Sequence, residues 1–220
     1  MLTKAIKFQI LVLILIVFAQ ASFVDAQIKY PETTNILQTV YRNEIQAHLT
    51  YLTYAQKAIS ENYPNIAHLF VSLATSESIH ARNFKQLLID LKVELKEPLR
   101  PEIKVSTSKE NLKSATQTEL QEIDHRYPEF IEKVKPEGHE AAIRYITYAW
   151  ESEKQHRELI KKIESGTGIL FKMLSGIIEK TPTRYFVCQE CGSTIKEPPK
   201  EVCPICKSSA SQYKEVERVK

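Results

Sequence analysis

Two stretches of this 220-residue chain repeat apolar residues at helical spacing and break the pattern in the same way. From about Asn65 to Lys92 the positions at steps of four and three read Ile66, Phe70, Leu73, Glu77, His80, Phe84, Leu87 and Leu91. From about Gly138 to Ser165 they read Ala142, Ile146, Ala149, Glu153, His156, Ile160 and Ile163. Each stripe is the inward face of a helix except at one Glu-x-x-His. A lone carboxylate on such a face is strongly disfavoured by desolvation unless it is paired or bound to metal. Two helices that make the same departure at the same phase therefore point to one shared polar site.

Two further helices supply the rest of it. The first runs from near Thr34 to Ser60, ends before Tyr63-Pro64, and carries Glu44 in the stripe Leu37, Tyr41, Glu44, Tyr51, Ala55. The third opens at a capping box, Thr107 with Glu110, sets Glu119 and Glu122 one turn apart on one face, and is disturbed at Tyr127-Pro128. The connection before it holds Pro98 and Pro101, is too long for a hairpin, and suits a crossover that changes the direction of the next helix. Five unpaired negative charges cannot share a core, whereas two divalent or trivalent ions bring five carboxylates and two imidazoles close to neutrality. Random placement of 24 Glu and 6 His gives about 0.7 Glu-x-x-His pairs, and the chain has three. The third, Glu122/His125, is the weak one, because His125 lies about 120° round a helix from Glu119 and is expected to be solvated or to support a ligand from behind. His48, four residues after Glu44, is a candidate supporting group, while His68 and His139 read as a helix-surface and a helix-start residue.

All four cysteines fall within nineteen residues, as Cys188-x-x-Cys191-Gly192 and Cys203-Pro204-Ile205-Cys206. Two disulfides are the plain alternative in an exported chain, but two C-x-x-C knuckles present four thiolates to a tetrahedral metal, and both zinc and iron accept them. Gly is only 5 of 220 residues, and Gly166 to Gly168 lack the third glycine of a dinucleotide loop. A net charge of +3 with Lys and Arg dispersed among the acids gives no case for nucleic acid. Lys4 and Lys7 before the apolar run Ile10–Ala19, with Val24 and Ala26 preceding Gln27, read as a secretory signal over residues 1–26 rather than an uncleaved anchor. The mature chain is then expected outside the cytoplasm and loaded with metal there.

A carboxylate from one helix, two from another and Glu-x-x-His from each of two more, followed by C-x-x-C-G and C-P-x-C, resembles the rubrerythrin family over essentially the whole mature chain. The resemblance implies an all-α four-helix ferritin-like bundle over 27–166, a linker with a possible short helix over 167–182, and a small rubredoxin-like domain over 183–220. It implies a dinuclear iron site on Glu44, Glu77, His80, Glu119, Glu122, Glu153 and His156, and one iron on Cys188, Cys191, Cys203 and Cys206. Tyr51 and Tyr127 would hydrogen-bond ligand carboxylates, and one iron would exchange Glu122 for His80 on reduction. The activity implied is reduction of hydrogen peroxide to water, as in an NADH peroxidase, by a homodimer fed by a redox donor protein. Ferroxidase or oxygen-reducing activity is the rival within redox chemistry, and a non-catalytic iron-binding protein with a zinc ribbon for partner binding is the rival outside it. Three departures stand out. Lys207 replaces the usual glycine after the second knuckle, at about 1–2 kcal/mol if left-handed. Ser193 replaces an aromatic residue, which predicts a looser domain or a shifted potential. The apolar stretch 169–180 is longer than the expected linker and is either a packed helix or a docking segment.

Overall fold

A computed structural model of the chain describes residues 29–95, 102–164, 179–180 and 182–218. The expected leader, the crossover prolines 98 and 101, and nearly all of the stretch 169–180 lie outside the described residues. No helix among the described residues is long and apolar enough to cross a membrane.

The helices are α1 (Pro31–Ser60), α2 (Pro64–Asp90), α3 (Ser108–Gln121), α4 (Tyr127–Val134) and α5 (Glu140–Glu164). A π-helical turn, Glu122–Arg126, joins α3 to α4, so the two form one interrupted third rod of a four-rod bundle. The inward positions read from the sequence are buried from Leu37 to Ile160, with Leu91 half-buried. Ile163 is outside the described side chains.

Helix N-termini leave backbone donors unpaired and attract negative charge. Three are met by carboxylates. Glu179 accepts from the amides of Asn65 at 2.8 Å and Ile66 at 3.3 Å. Glu110 completes the Thr107 capping box, with Glu61 accepting from Ser108 N at 2.8 Å. Glu137, more than a hundred residues away in sequence, accepts from Glu32 N at 2.9 Å and Thr33 N at 2.8 Å. Burial alone would raise the Glu137 carboxyl, but these hydrogen bonds hold it below its ordinary value. The folded state thus favours its charged form, so the stability it contributes is complete above the unfolded carboxylate value and is lost as pH falls through the depressed folded one. Glu137→Ala is expected to cost about 0.5–1 kcal/mol near neutral pH, the low end for a cap because water screens the group, and to cost nothing at roughly pH 2. Urea denaturation at the two pH values checks it.

The disturbance expected at Tyr127-Pro128 lies one turn earlier. Tyr127 N–H reaches back five residues to Glu122 O. The next such bond, from residue 128 to Ile123 O, cannot form because Pro128 has no N–H. Trp150 on α5 supplies the missing donor, its Nε1 bonding Ile123 O at 2.9 Å. The wide turn absorbs one residue and so rotates the α4 half of the rod. On a regular helix Tyr127 would sit about 80° round from Glu119, whereas here it returns to within about 20°. Its ring is accordingly buried, while His125 in the turn itself is exposed.

The bundle core is not continuous. One apolar slab gathers Tyr51, Tyr54, Ile66, Phe70, Leu73, Leu112 and Ile160. The other gathers Leu37, Tyr41, Phe84, Leu88, Tyr127, Ile131 and Ile146. Between them lies a layer holding Glu44, Glu77, His80, Glu119, Glu153 and His156, each at most 3% exposed.

The C-terminal segment forms a three-stranded antiparallel sheet of β1 (Phe186–Cys188), β2 (Thr194–Ile195) and β3 (Tyr213–Glu215), in the order β2-β1-β3. It packs across the outer faces of α2 and α5. This placement corrects the reading of His68, which is a buried residue and not a surface one. Its Nδ1 lies 3.1 Å from Thr183 O and its Nε2 2.9 Å from Val216 O, with Tyr185 edge-on to the ring. Helical periodicity identifies the face turned to the other rods and is blind to a sheet covering the opposite one.

Candidate metal centre

The buried layer divides into two overlapping sets. Glu44, Glu77, His80 and Glu153 present ligand atoms within 4.8 Å of one another, and so do Glu77, Glu119, Glu153 and His156. Glu77 and Glu153 belong to both sets, as bridging carboxylates would. Both imidazoles point the same way. His80 Nδ1 lies 3.0 Å from Glu77 Oε2 and 3.3 Å from Glu153 Oε1. His156 Nδ1 lies 2.9 Å from Glu153 Oε2 and 3.2 Å from Glu77 Oε1. Tyr51 donates to Glu119 Oε1 at 2.5 Å, and the Tyr127 hydroxyl donates to Glu44 Oε1.

Glu122 stands apart from both sets. Its carboxylate is buried and meets Arg126 Nη1 at 3.2 Å, on the wall of a groove of about 580 Å³ that also reaches Tyr51. His48 does not join the layer, since its Nδ1 meets Ala74 O at 2.7 Å. His139 accepts from Ala142 N at 3.1 Å at the start of α5.

Electrostatics fit the layer to cations. Burial, then neighbouring carboxylates, push Glu119 and Glu122 well above the ordinary carboxylate range. Burial takes Glu44 up to about 7 against the pull of His80. Burial opposes charge on His156, yet Glu77 and Glu153 carry it to about 10; His80 is likewise raised, by Glu153, Glu44 and Glu77. Glu153 stays low despite burial because both imidazoles face it. Protons thus balance the charge that metal would balance, and metal binding must release them. Glu119 Oε2 and Glu153 Oε1 are buried acceptors without a hydrogen bond, as ligand atoms awaiting a cation would be.

The four cysteines are free, and none is disulfide-bonded. Cys188 Sγ and Cys206 Sγ are 3.8 Å apart, and Cys191 Sγ and Cys203 Sγ 3.6 Å. A tetrahedron with metal–sulfur bonds of ~2.3 Å has edges of about 3.8 Å, so the thiols already stand at ligand spacing. The two knuckles close alike, Gly192 N to Cys188 O at 2.9 Å and Lys207 N to Cys203 O at 3.1 Å. Lys207 takes the left-handed conformation, φ 62°, that its position demands. Ser193 is fully buried, and its Oγ meets Gln155 Oε1 at 2.9 Å and Tyr213 Oη at 2.7 Å, so hydrogen bonds occupy the position that the family resemblance gives to an aromatic residue.

The first knuckle sits on the dinuclear layer. His80 Nε2 lies 3.1 Å from Cys191 O, and His156 Nε2 lies 3.4 Å from Thr194 Oγ1, whose own hydrogen goes to Gly192 O at 3.0 Å. These contacts place N–H on both Nε2 atoms and leave both Nδ1 lone pairs for metal. Ser76 Oγ donates to Gly192 O at 2.6 Å. Gly192 has φ +81°, and a Cβ there would fall 2.3 Å from His80 Nε2 and 2.7 Å from Ser76 Oγ. Ser76, Gln155 and Thr194 escaped sequence reasoning, because short polar residues on a helix or strand carry no spacing signal. Gly192 was visible only as part of C-x-x-C-G.

A four-rod bundle with a buried carboxylate and imidazole layer, joined to a pair of thiolate knuckles, is a ferritin-like dinuclear metal protein. The family model described as Rubrerythrin matches residues 35–164. Rubrerythrin-2 of Clostridium acetobutylicum is 32% identical over 184 residues, covering 81% of this chain and 94% of that one. The rubrerythrin of Porphyromonas gingivalis is 30% identical over 188 residues, covering 83% and 88%. Among solved structures, mixed-valence nigerythrin superposes with a TM-score of 0.72 at 26% identity over 84% of this chain and 86% of its own. The chain belongs to the rubrerythrin family. It is a diiron protein of the ferritin-like class with a further iron site at its four cysteines.

Proposed function

We propose that this protein reduces hydrogen peroxide to water, with electrons entering singly through the four-cysteine site and crossing to the bundle at the Cys191–His80 contact. The observation that carries the reading is the seating of the first knuckle on both imidazoles of the dinuclear layer, within one chain. A storage protein with a zinc ribbon for partner binding has no use for such a contact. Loaded with iron, the layer supplies two electrons at once, the number needed to cleave an O–O bond to water without releasing a radical.

The residues divide the work. Glu77 and Glu153, which belong to both sets, would be shared by the two metals. Glu44 and His80 would help hold one, and Glu119 and His156 the other. Tyr51 and Tyr127 orient the Glu119 and Glu44 carboxylates by hydrogen bonds that withdraw no ligand. Glu122, which pairs with Arg126 and belongs to neither set, would be the carboxylate free to enter an oxidised site. The groove past Glu122 and Tyr51 admits peroxide and the two protons that the reaction consumes. The homodimer implied by the family resemblance would hold two complete sets of sites, since each chain seats its own knuckle.

Stopped-flow reoxidation of the fully reduced, full-length protein tests the proposal. Rapid oxidation by one equivalent of peroxide, much faster than by oxygen, is the expected result. Faster reaction with oxygen, or ferrous iron consumed as the substrate, would move the assignment to oxygen reduction or ferroxidase. Export is proposed on the N-terminal pattern, and protein recovered from the extracytoplasmic fraction should begin at Gln27.

A further inference from the structure

One further link between the four-cysteine unit and the bundle has a fixed hydrogen-bond direction. On α5 the side-chain oxygen of Gln155 accepts from Thr194 N at 3.1 Å and from the Ser193 hydroxyl at 2.9 Å. A backbone N–H can only donate, so the Gln155 atom facing the knuckle is its oxygen and the amide cannot be reversed. Ser193 has one hydroxyl hydrogen and commits it to Gln155. Across the 2.7 Å contact between Ser193 Oγ and Tyr213 Oη the donor is then Tyr213. Tyr213 also has a single hydrogen, and its oxygen lies 3.2 Å from Cys203 Sγ. Hydrogen given to Ser193 is withheld from the sulfur.

We infer that Gln155 is a positioning residue for the redox poise of the four-cysteine iron: by holding the Ser193 hydroxyl toward itself, it turns the Tyr213 hydrogen away from Cys203 Sγ and keeps the reduction potential low. A hydrogen bond to a ligand sulfur draws off negative charge, favours the reduced iron and raises the potential. Gln155 belongs to the bundle, whereas Ser193 and Tyr213 belong to the four-cysteine unit, so the arrangement exists only while the two are seated together. The seated unit is therefore the stronger one-electron reductant, next to the centre it feeds. Ser208 is a second hydroxyl at the site, its Oγ 3.0 Å from Cys206 Sγ and 3.6 Å from Cys188 Sγ, and it serves as an internal standard. The inference rests on the reading of the four cysteines as an electron relay.

The test is a mediated optical titration of the iron-loaded full-length protein, in which the electrode delivers one electron per four-cysteine iron and no atom is transferred. Gln155→Leu frees the Ser193 hydrogen to face Tyr213 Oη and releases the Tyr213 hydrogen to Cys203. The reduction equilibrium is expected to shift by up to about tenfold toward the ferrous form, or ~59 mV for a one-electron couple. Ser193→Ala removes the competing acceptor itself, should raise the potential similarly, and guards against a folding defect in the Gln155 variant. Tyr213→Phe alone should leave the potential near its parent value, and combined with Gln155→Leu it should abolish the rise. Ser208→Ala should lower the potential. The inference is overturned if both Gln155→Leu and Ser193→Ala leave the couple unmoved, or if Tyr213→Phe alone lowers it as far as Ser208→Ala does. A four-cysteine site with no reversible couple would overturn the relay reading as well, which an intact but unmoved couple would not.

Discussion

Glu77→Ala is expected to lose most of its bundle iron in both redox states, whereas Glu122→Ala should keep two irons when reduced. Glu77 is the one α2 carboxylate in both ligand sets, so its removal takes a ligand from each metal at once. The loss of affinity should exceed the ~10–100-fold typical of removing a supporting partner. Glu122 belongs to neither set and pairs with Arg126. If Glu122 enters only the oxidised site, as proposed, its replacement should leave His80 to serve the reduced form and weaken iron binding only in the oxidised one. Metal content of reduced and oxidised protein, measured after gel filtration, decides between the two patterns. Far-UV circular dichroism separates ligand loss from unfolding, because Glu77 also pairs with both imidazoles and its removal could loosen the metal-free bundle. Equal iron loss in the two variants would refute the assignment of Glu122 as the exchangeable group.

The second large effect is expected at Gly192. Alanine there meets two penalties: a non-glycine residue at positive φ costs about 1–2 kcal/mol, and its methyl group must displace a ring that is itself packed on every side, at about 1–3 kcal/mol more. His80 cannot yield, since its Nδ1 is held among three carboxylates. The knuckle must therefore lift, breaking the Cys191–His80 and Ser76–Gly192 hydrogen bonds together. Gly192→Ala should keep iron at both sites and still react with peroxide once when chemically reduced beforehand. Its steady turnover should fall at least about tenfold, equivalent to the loss of ~1.4 kcal/mol of coupling in the step that refills the bundle. Steady turnover at the parent rate would show that electrons reach the dinuclear centre by another route.

Much of the site was legible before any fold was known, and the reason is energetic. A carboxylate in an apolar helical stripe is so costly that Glu44, Glu77 and Glu153 announce a compensating charge, and two C-x-x-C pairs announce a tetrahedral one. By spacing alone Glu119 and Glu122 share a helix face, and only the family resemblance singles out Glu122. The structure gives that difference a geometry: Glu119 turns to Tyr51, while Glu122, where the π turn begins, turns to Arg126.

What the chain alone determined is therefore the local and periodic part: the four rods, their inward faces, the Thr107 capping box, the ligand types and the two knuckles. Each of these depends on residues within a turn or two of one another, where spacing translates directly into geometry. The tertiary structure decided everything that depends on two distant segments meeting. It placed Glu137 on the start of α1, Trp150 on the carbonyl that Pro128 leaves unbonded, and His68 beneath the sheet rather than in water. It also set the first knuckle on His80 and His156 and turned Gln155 toward Ser193. No periodicity encodes these contacts, because a short polar side chain shows what it bonds only once the fold has brought its partner to within 3 Å or so.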